Sequence, residues 1–486
     1  MNLLIINLIL PFIAIIILFF ITESKKSHSF ALNITAFSFL LSILMWILMD
    51  ETNSDFQFRF NLFLIPSLKF YLSFGIDGIS IFFIILTNLF IYLCILSLNL
   101  DQKKLNEILI YLFFLQWGVL TSFSILDLFG FFIFFETTLI PIYFIVLIWG
   151  SRERKVRASY LISLYTLFGS IFMLFNILYL FSKTGITNYQ FLLTINFTKE
   201  DQIFLWITFF IAFATKIPLF PLHIWLPEAH VEAPTIGSVL LAALLLKLGT
   251  YGIIRFSLPL FPYGTLYYTP LVNTFAIAGI IYTSLTAIRQ IDLKKIIAYS
   301  SVGHMSTVLL GIIALSIENL EGAIFQMLSH GIVSGALFFC VGSFYKRYKV
   351  RSLHYYGGMV QTYPFLSIYF LIFSLANISF PGTSSFVGEF IIFIGVFGLN
   401  TIVVFLAASN MVLGTIYTLW TLNRILFGNI KNLTIKKHSD LDRNEFYLFL
   451  ILLLILITTG LCPNIILNNL HINCSNIIEQ IKLQNF

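Results

Sequence analysis

ATKIPLFPLHIWLPEAHVEAPTIGSVLLAALLLKLGTYGIIR, residues 214–255, is the stretch around which the chain is organised. Lys216 and Lys247 each sit inside an otherwise apolar run, and between them lie four prolines, two histidines and two glutamates. An ammonium at the centre of a membrane helix costs roughly 2.5–3.5 kcal/mol on insertion scales. Two of them flanking a proline break point to an ion path. That inference requires a membrane protein, and composition supplies one. Of the 486 residues, 59% are hydrophobic and 10% charged, against about 25% charged in soluble domains.

Apolar runs long enough to cross a bilayer recur along the whole length, about fourteen of them. The spacing predicts an all-α polytopic membrane protein without a separate soluble domain. The first run, residues 2–21, has no basic flank or small-residue cleavage site and is expected to be a retained helix. The net charge of +6 is small for this length. Lysine and arginine fall in clusters between runs, which fits membrane topology and not nucleic-acid binding. If every span is real, the odd loops carry Lys25 and Lys26, Lys103 and Lys104, the group from Arg152 to Arg157, and Arg289 with Lys294 and Lys295. They also carry the group from Lys346 to Arg351 and that from Arg424 to Arg443, including Lys436 and Lys437. The even loops hold only Arg59, Lys69, Lys183, Lys199 and Arg255. The positive-inside rule places the odd loops in the matrix or cytoplasm. One odd loop, expected at residues 227–234, has neither lysine nor arginine.

Two spans are expected to be broken. Span seven runs into Pro218 and Pro221, and span twelve contains Ser379-Phe380-Pro381-Gly382-Thr383 near mid-membrane. Proline removes a helical donor, and the freed groups must be buried in protein or line a cavity. Breaks five spans apart suggest two inverted five-helix repeats, residues 106–257 and 268–430, after three N-terminal helices in residues 1–105 and before a C-terminal helix and tail in residues 431–486.

Four charged residues fall well inside spans: Glu136, Lys216, Lys247 and Glu389. Intramembrane charges mark ion pathways by default, the bland alternative being ion pairs that lock helices together. His304 and His330 lie between Lys247 and Glu389 in chain order; neutral imidazole donates at one nitrogen and accepts at the other, so it can relay protons near neutral pH. Asp127 is expected to mark a span edge. His223 and His230 lack a third ligand at metal-site spacing. Cys94, Cys340, Cys462 and Cys474 form no CxxC pair. Glycine-rich phosphate loops and GxSxG elbows are absent from the sequence.

LPEAHVEAPTIGSVLLAALLLKLGTYGIIR (residues 226–255) closely resembles a signature of the subunit 4 family of respiratory NADH:ubiquinone oxidoreductase, complex I, a family of Mrp-antiporter-like proteins. FFETTLIPIYFIVLIWG (134–150), KKIIAYSSVGHMS (294–306), QMLSHGIVSGALFF (326–339) and FPGTSSFVGEF (380–390) resemble its other motifs. The resemblance implies a proton-translocating membrane-arm subunit with no cofactor of its own, in a complex that uses FMN, iron–sulfur clusters, NADH and ubiquinone. It implies that Glu136 and Lys216 form a coupling ion pair, that Lys247, His304 and His330 form a central relay, and that Glu389 is the exit residue. A glutamate at that last position favours subunit 4 over subunits 2 and 5, the neighbours it implies as partners. The chain's end soon after span fourteen, without a long lateral helix, argues against subunit 5 in the same way. The 55 phenylalanines suggest an AT-rich organelle gene, which favours the mitochondrial inner membrane over a bacterial plasma membrane. Two alternatives share these features: a subunit of a Mrp-type cation/proton antiporter, and a structural membrane-arm subunit whose buried charges only lock helices.

Overall fold

The computed structural model describes residues 2–65, 70–100, 104–431 and 439–484. Within them, 11 helices are long and apolar enough to cross a bilayer. Three further crossings complete the expected set: the shorter helix Ser80–Leu96, the broken span seven that begins with Lys199–Lys216, and the broken span twelve of Pro364–Asn377 and Ser384–Phe397. Helices dominate because a chain in hydrocarbon must satisfy every backbone group internally. The basic residues Lys69, Lys103, Lys436 and Lys437 lie outside the described residues.

The first four spans, Leu3–Phe20, Ser24–Ile47, Ser80–Leu96 and Leu105–Ser124, pack together at the N-terminal end. Buried amides join them: Asn88 Nδ2 donates to Asn7 Oδ1 (3.3 Å), and Gln116 Nε2 donates to Asn88 Oδ1 (2.8 Å). Apolar packing alone gives little preference between lipid and protein, so such side-chain bonds help select neighbours.

Both expected breaks are present. Span seven stops at Lys216 and resumes as Trp225–Glu232. The indole Nε1 of Trp225, in the second half, donates to the Thr215 carbonyl of the first half at 2.9 Å, so one freed acceptor is met across the break. Residues 227–234 are therefore not a loop, as their prolines suggested. Pro227 sits in the first turn of the second half, where its missing N–H costs nothing, and the connection to span eight is only Ala233 and Pro234. In span twelve the chain leaves the helix at Ile378, where Ser379 (φ 61°) and Gly382 (φ +93°) are left-handed.

Span eight, Thr235–Leu260, is buried throughout. It contains two π turns, Leu241–Leu245 and Ile253–Ser257. It lies tight against span seven: a Cβ at Gly252 would come within 2.3 Å of the Phe213 ring. Arg255, placed by the sequence in a loop, belongs to the second π turn and is buried. Its Nη2 lies 2.6 Å from Asp77 Oδ2, just before span three.

Two elements were not foreseen. Strands Gln57–Ile65 and Phe70–Ile76 pair antiparallel, a small exception to the all-α expectation. Residues 464–484, which carried no assignable signal, form a helix that packs on span eleven (Ile317–Tyr348) and on the end of span eight.

Replacing Gly252 by leucine is expected to drive spans seven and eight apart, with the overpacking cost of about 1–3 kcal/mol or more. The measurement is the amount of folded chain in membranes, compared with the exposed control Leu406→Ala.

Candidate functional site

Glu136 sits where span five is interrupted. Helix Leu128–Thr137 ends and Leu139–Trp149 begins at Thr138, with Pro141 one turn on. Asp127 caps the first piece, accepting from the Gly130 N–H at 2.8 Å, and so marks the span edge as expected. The Lys216 ammonium donates to the Phe135 carbonyl at 2.7 Å and to Thr138 Oγ1 at 3.2 Å. It also lies 3.5 Å from the centre of the Phe135 ring, a contact worth about 2 kcal/mol when desolvated. Lys216 closes its half-helix, where the helix dipole favours a cation.

The expected Glu136–Lys216 ion pair is not closed. Lys216 bonds the residues on either side of Glu136, while the buried Oε1 of Glu136 has no hydrogen-bond partner. The break explains this. A carbonyl released from the helix ladder lies closer to the ammonium than the carboxylate does.

Lys247 is fully buried. The first π turn loosens the helix just before it, and its Nζ donates to the Ala242 carbonyl at 2.5 Å and to His330 Nδ1 at 3.0 Å. π turns of this kind recur at functional sites because they re-aim side chains and free carbonyls. The His330 and His304 rings are 5.8 Å apart between centroids. His304 Nδ1 lies 2.7 Å from Glu389 Oε1. These partners assign the tautomers: His330 accepts at Nδ1 and so carries its proton on Nε2, and His304 donates at Nδ1 and is free to accept at Nε2. Both Nε2 atoms are buried without a protein partner, one a donor and the other an acceptor.

Glu389 lies just past the break in span twelve. Ser379, in the break itself, donates to its Oε2 at 2.6 Å, and Gln326 Nε2 donates to its Oε1 at 3.1 Å. The structure thus brings Lys247, His330, His304 and Glu389 into one buried row, and Glu136 with Lys216 into a second cluster. No described hydrogen bond joins Lys216 to Lys247. Their helices meet through Gly249, where a Cβ would come within 2.7 Å of Ile217.

Sequence reasoning gave Ser379 and Gln326 no role, and it weighed His230 as a metal ligand. Gln326 precedes His330 by four residues, on the same helix face, a spacing visible in the sequence. His230 is fully buried, stacked on Phe338 with centroids 4.6 Å apart, and neither of its ring nitrogens has a partner. Among the described residues no group of three His, Cys, Asp or Glu side chains could hold a metal ion.

Broken helices around buried Lys, His and Glu, in a bundle of this many crossings, define an ion-translocating membrane protein. A family profile described as "NADH:quinone oxidoreductase/Mrp antiporter, TM" matches residues 126–414, and the chain belongs to that family. It is 47% identical over 484 residues to the NADH-ubiquinone oxidoreductase chain 4 of Chondrus crispus, covering 99% of this chain and 98% of that one. With the chain of the same name from Arabidopsis thaliana the identity is 48% over 477 residues, covering 97% and 96%. Among solved structures, a chain of respiratory complex I from Thermus thermophilus matches with TM-score 0.89 and 27% identity, over 98% of this chain and 99% of that one. A chain of the Mrp complex from Dietzia shares the fold, with TM-score 0.86 at 18% identity over 99% of each.

Ser379→Ala is expected to shift the infrared carboxyl or carboxylate band of Glu389, identified by its loss in Glu389→Gln. A hydrogen bond of this charge-assisted type is worth about 1.5–3 kcal/mol. An unmoved band would show that the serine does not hold the carboxyl group.

Proposed function

We propose that this chain is the chain 4 subunit of NADH-ubiquinone oxidoreductase and moves protons through Glu136, Lys216, Lys247, His330, His304 and Glu389. The carrying observation is the row of contacts from Lys247 to His330 and from His304 to Glu389, at 3.0 and 2.7 Å. Electron transfer to quinone takes place in other subunits, which hold the FMN and iron–sulfur clusters. Its effect here is to change the field at Glu136. Lys216 then exchanges its contacts with Phe135 and Thr138 for the Glu136 carboxylate, or releases its proton towards Lys247.

From Lys247 the proton steps to His330 Nδ1. His330 releases its other proton from Nε2 towards the accepting Nε2 of His304, and His304 hands its Nδ1 proton to Glu389. Each imidazole gains a proton on one nitrogen and loses one from the other, so neither need hold a lasting charge. Reversal of the tautomers resets the row. Glu389 releases the proton on the side opposite the lysine- and arginine-rich loops.

The same reading places the chain in the mitochondrial inner membrane, with basic loops in the matrix and the antiporter-like subunits 2 and 5 as neighbours. It divides the chain into the two inverted repeats 106–257 and 268–430, whose broken spans seven and twelve present Lys216 and Glu389.

Lys247→Ala and Glu136→Gln are each expected to lower proton pumping and coupled NADH–quinone turnover in the assembled complex, on the order of 100-fold for loss of a proton-transfer group. Proton uptake by vesicles during NADH oxidation measures it. Pumping at the parental rate in both variants would remove these residues from the path.

A further inference from the structure

The buried row of proton carriers ends at Glu389, but polar side chains do not. Span thirteen, Thr401–Leu426, turns Tyr417 inward, where it is 2% exposed. The phenol lines one small cavity together with Ser300 and Asn377, and Glu389 is a charged neighbour. Both of these cavity residues are tied to the Glu389 centre. Ser300 precedes His304 by one helical turn and shares its face. Asn377 ends the first half of span twelve, two residues before the Ser379 hydroxyl that donates to Glu389 at 2.6 Å.

Beside the phenol lies a cavity of about 20 Å³, room for one water molecule. Its polar lining is Ser300, Ser374, Asn377, Tyr417, Thr418 and Thr421. Leu293 also lines it, and that residue opens span ten beside the basic Arg289 and Lys294. Thr421 is near the end of span thirteen, which runs into Arg424 and Lys431. The cavity therefore points from Glu389 towards the lysine- and arginine-rich side, opposite to the release side assigned above.

We propose that Tyr417 is a further proton-bearing residue of this site, linking Glu389 through its hydroxyl to the cavity and so to the basic side of the membrane. A phenol accepts and donates at the same oxygen. It can take a proton from a water in the cavity and give its own towards Ser300 or the Glu389 carboxylate, ending with the proton moved and the phenol neutral. Asn377 cannot relay, since its amide does not exchange donor for acceptor. A buried tyrosine that only filled space would need one partner for its hydroxyl. This one faces a cavity lined by five other polar side chains. The second route lets Glu389 reload from the basic side while the histidine row resets.

The inference rests on the proton-path reading of Glu389, and the experiment separates the two. Tyr417→Phe removes one oxygen. In the assembled complex, with turnover normalised to complex on native gels, coupled NADH–quinone turnover is expected to fall about tenfold, the upper end of the effect of losing one net hydrogen bond. The solvent deuterium isotope effect is expected to rise, because proton transfer becomes slower; a packing role would leave it unmoved. If Tyr417→Phe does not assemble, Thr421→Val at the far end of the cavity tests the same route and is expected to raise the isotope effect. Parental turnover and isotope effect in the variant that assembles overturn the inference. If Glu389→Gln stops pumping while Tyr417→Phe is silent, the inference fails and the proton-path reading stands. If Glu389→Gln is silent, both fail.

Discussion

A buried ammonium must find oxygen or nitrogen, and hydrocarbon offers neither. Most of the architecture around the site follows from that constraint. An intact helix keeps its carbonyls for its own N–H groups, so the lysines depend on places where the ladder is interrupted. Lys216 takes the Phe135 carbonyl beside the interruption in span five. Lys247 takes the Ala242 carbonyl within a π turn. Glu389 takes the Ser379 hydroxyl from the break in span twelve. Each irregularity costs helical hydrogen bonds, and each supplies a polar group to a charge. Without the breaks the charges would be unaffordable, and without the charges the breaks would have no reason to sit at this depth.

The sequence made the spans legible because the length of an apolar run is set by bilayer thickness. It made the breaks legible because proline and glycine act locally: Pro218, Pro221, Pro381 and Gly382 disrupt a helix whatever surrounds them. The intramembrane charges were visible as exceptions to an apolar background. What depended on packing was hidden. The same proline rule made residues 227–234 look like a loop, because nothing local shows that Pro227 occupies a first helical turn. Arg255 looked interfacial because its partner, Asp77, is far away in sequence. The strand pair before span three and the helix after Pro463 have mixed composition and are held by long-range contacts, such as that between Asn469 and Glu51. The Glu136–Lys216 pair was inferred from charge and resemblance, whereas the observed contacts follow from carbonyl geometry at Thr138.

The two clusters differ in a way that bears on direction. Lys216 has carbonyl, hydroxyl and aromatic partners and no charged group in contact. Its position therefore responds to any change in the nearby Glu136 carboxylate, because neutral contacts are weaker than a buried ion pair. The Lys247–Glu389 row is already closed by direct contacts at two of its three steps. On the proposed path, a field change at Glu136 would thus act first on the loosely held lysine, and the row downstream would need only a proton and a change of tautomer.

The protein also contains a control for what a purely structural charge looks like. Asp77 and Arg255 meet at 2.6 Å, both almost fully buried, with the Arg255 Nε donating to the Tyr251 hydroxyl. Arginine does not give up its proton in proteins, so this pair can lock the end of span eight but cannot carry protons. The six residues of the proposed path are of another kind. All are groups that can gain or lose a proton, and three of them, Glu136, His304 and His330, leave a buried polar atom without a protein partner. Each such atom costs about 1–3 kcal/mol. An open atom alone does not mark a path, since Arg347 and Arg351 also keep an unpartnered Nε; what sets the six apart is that each can gain or lose a proton. In the proposed row the facing Nε2 atoms of His330 and His304 are such open atoms, one a donor and one an acceptor, as a proton step between the two rings requires.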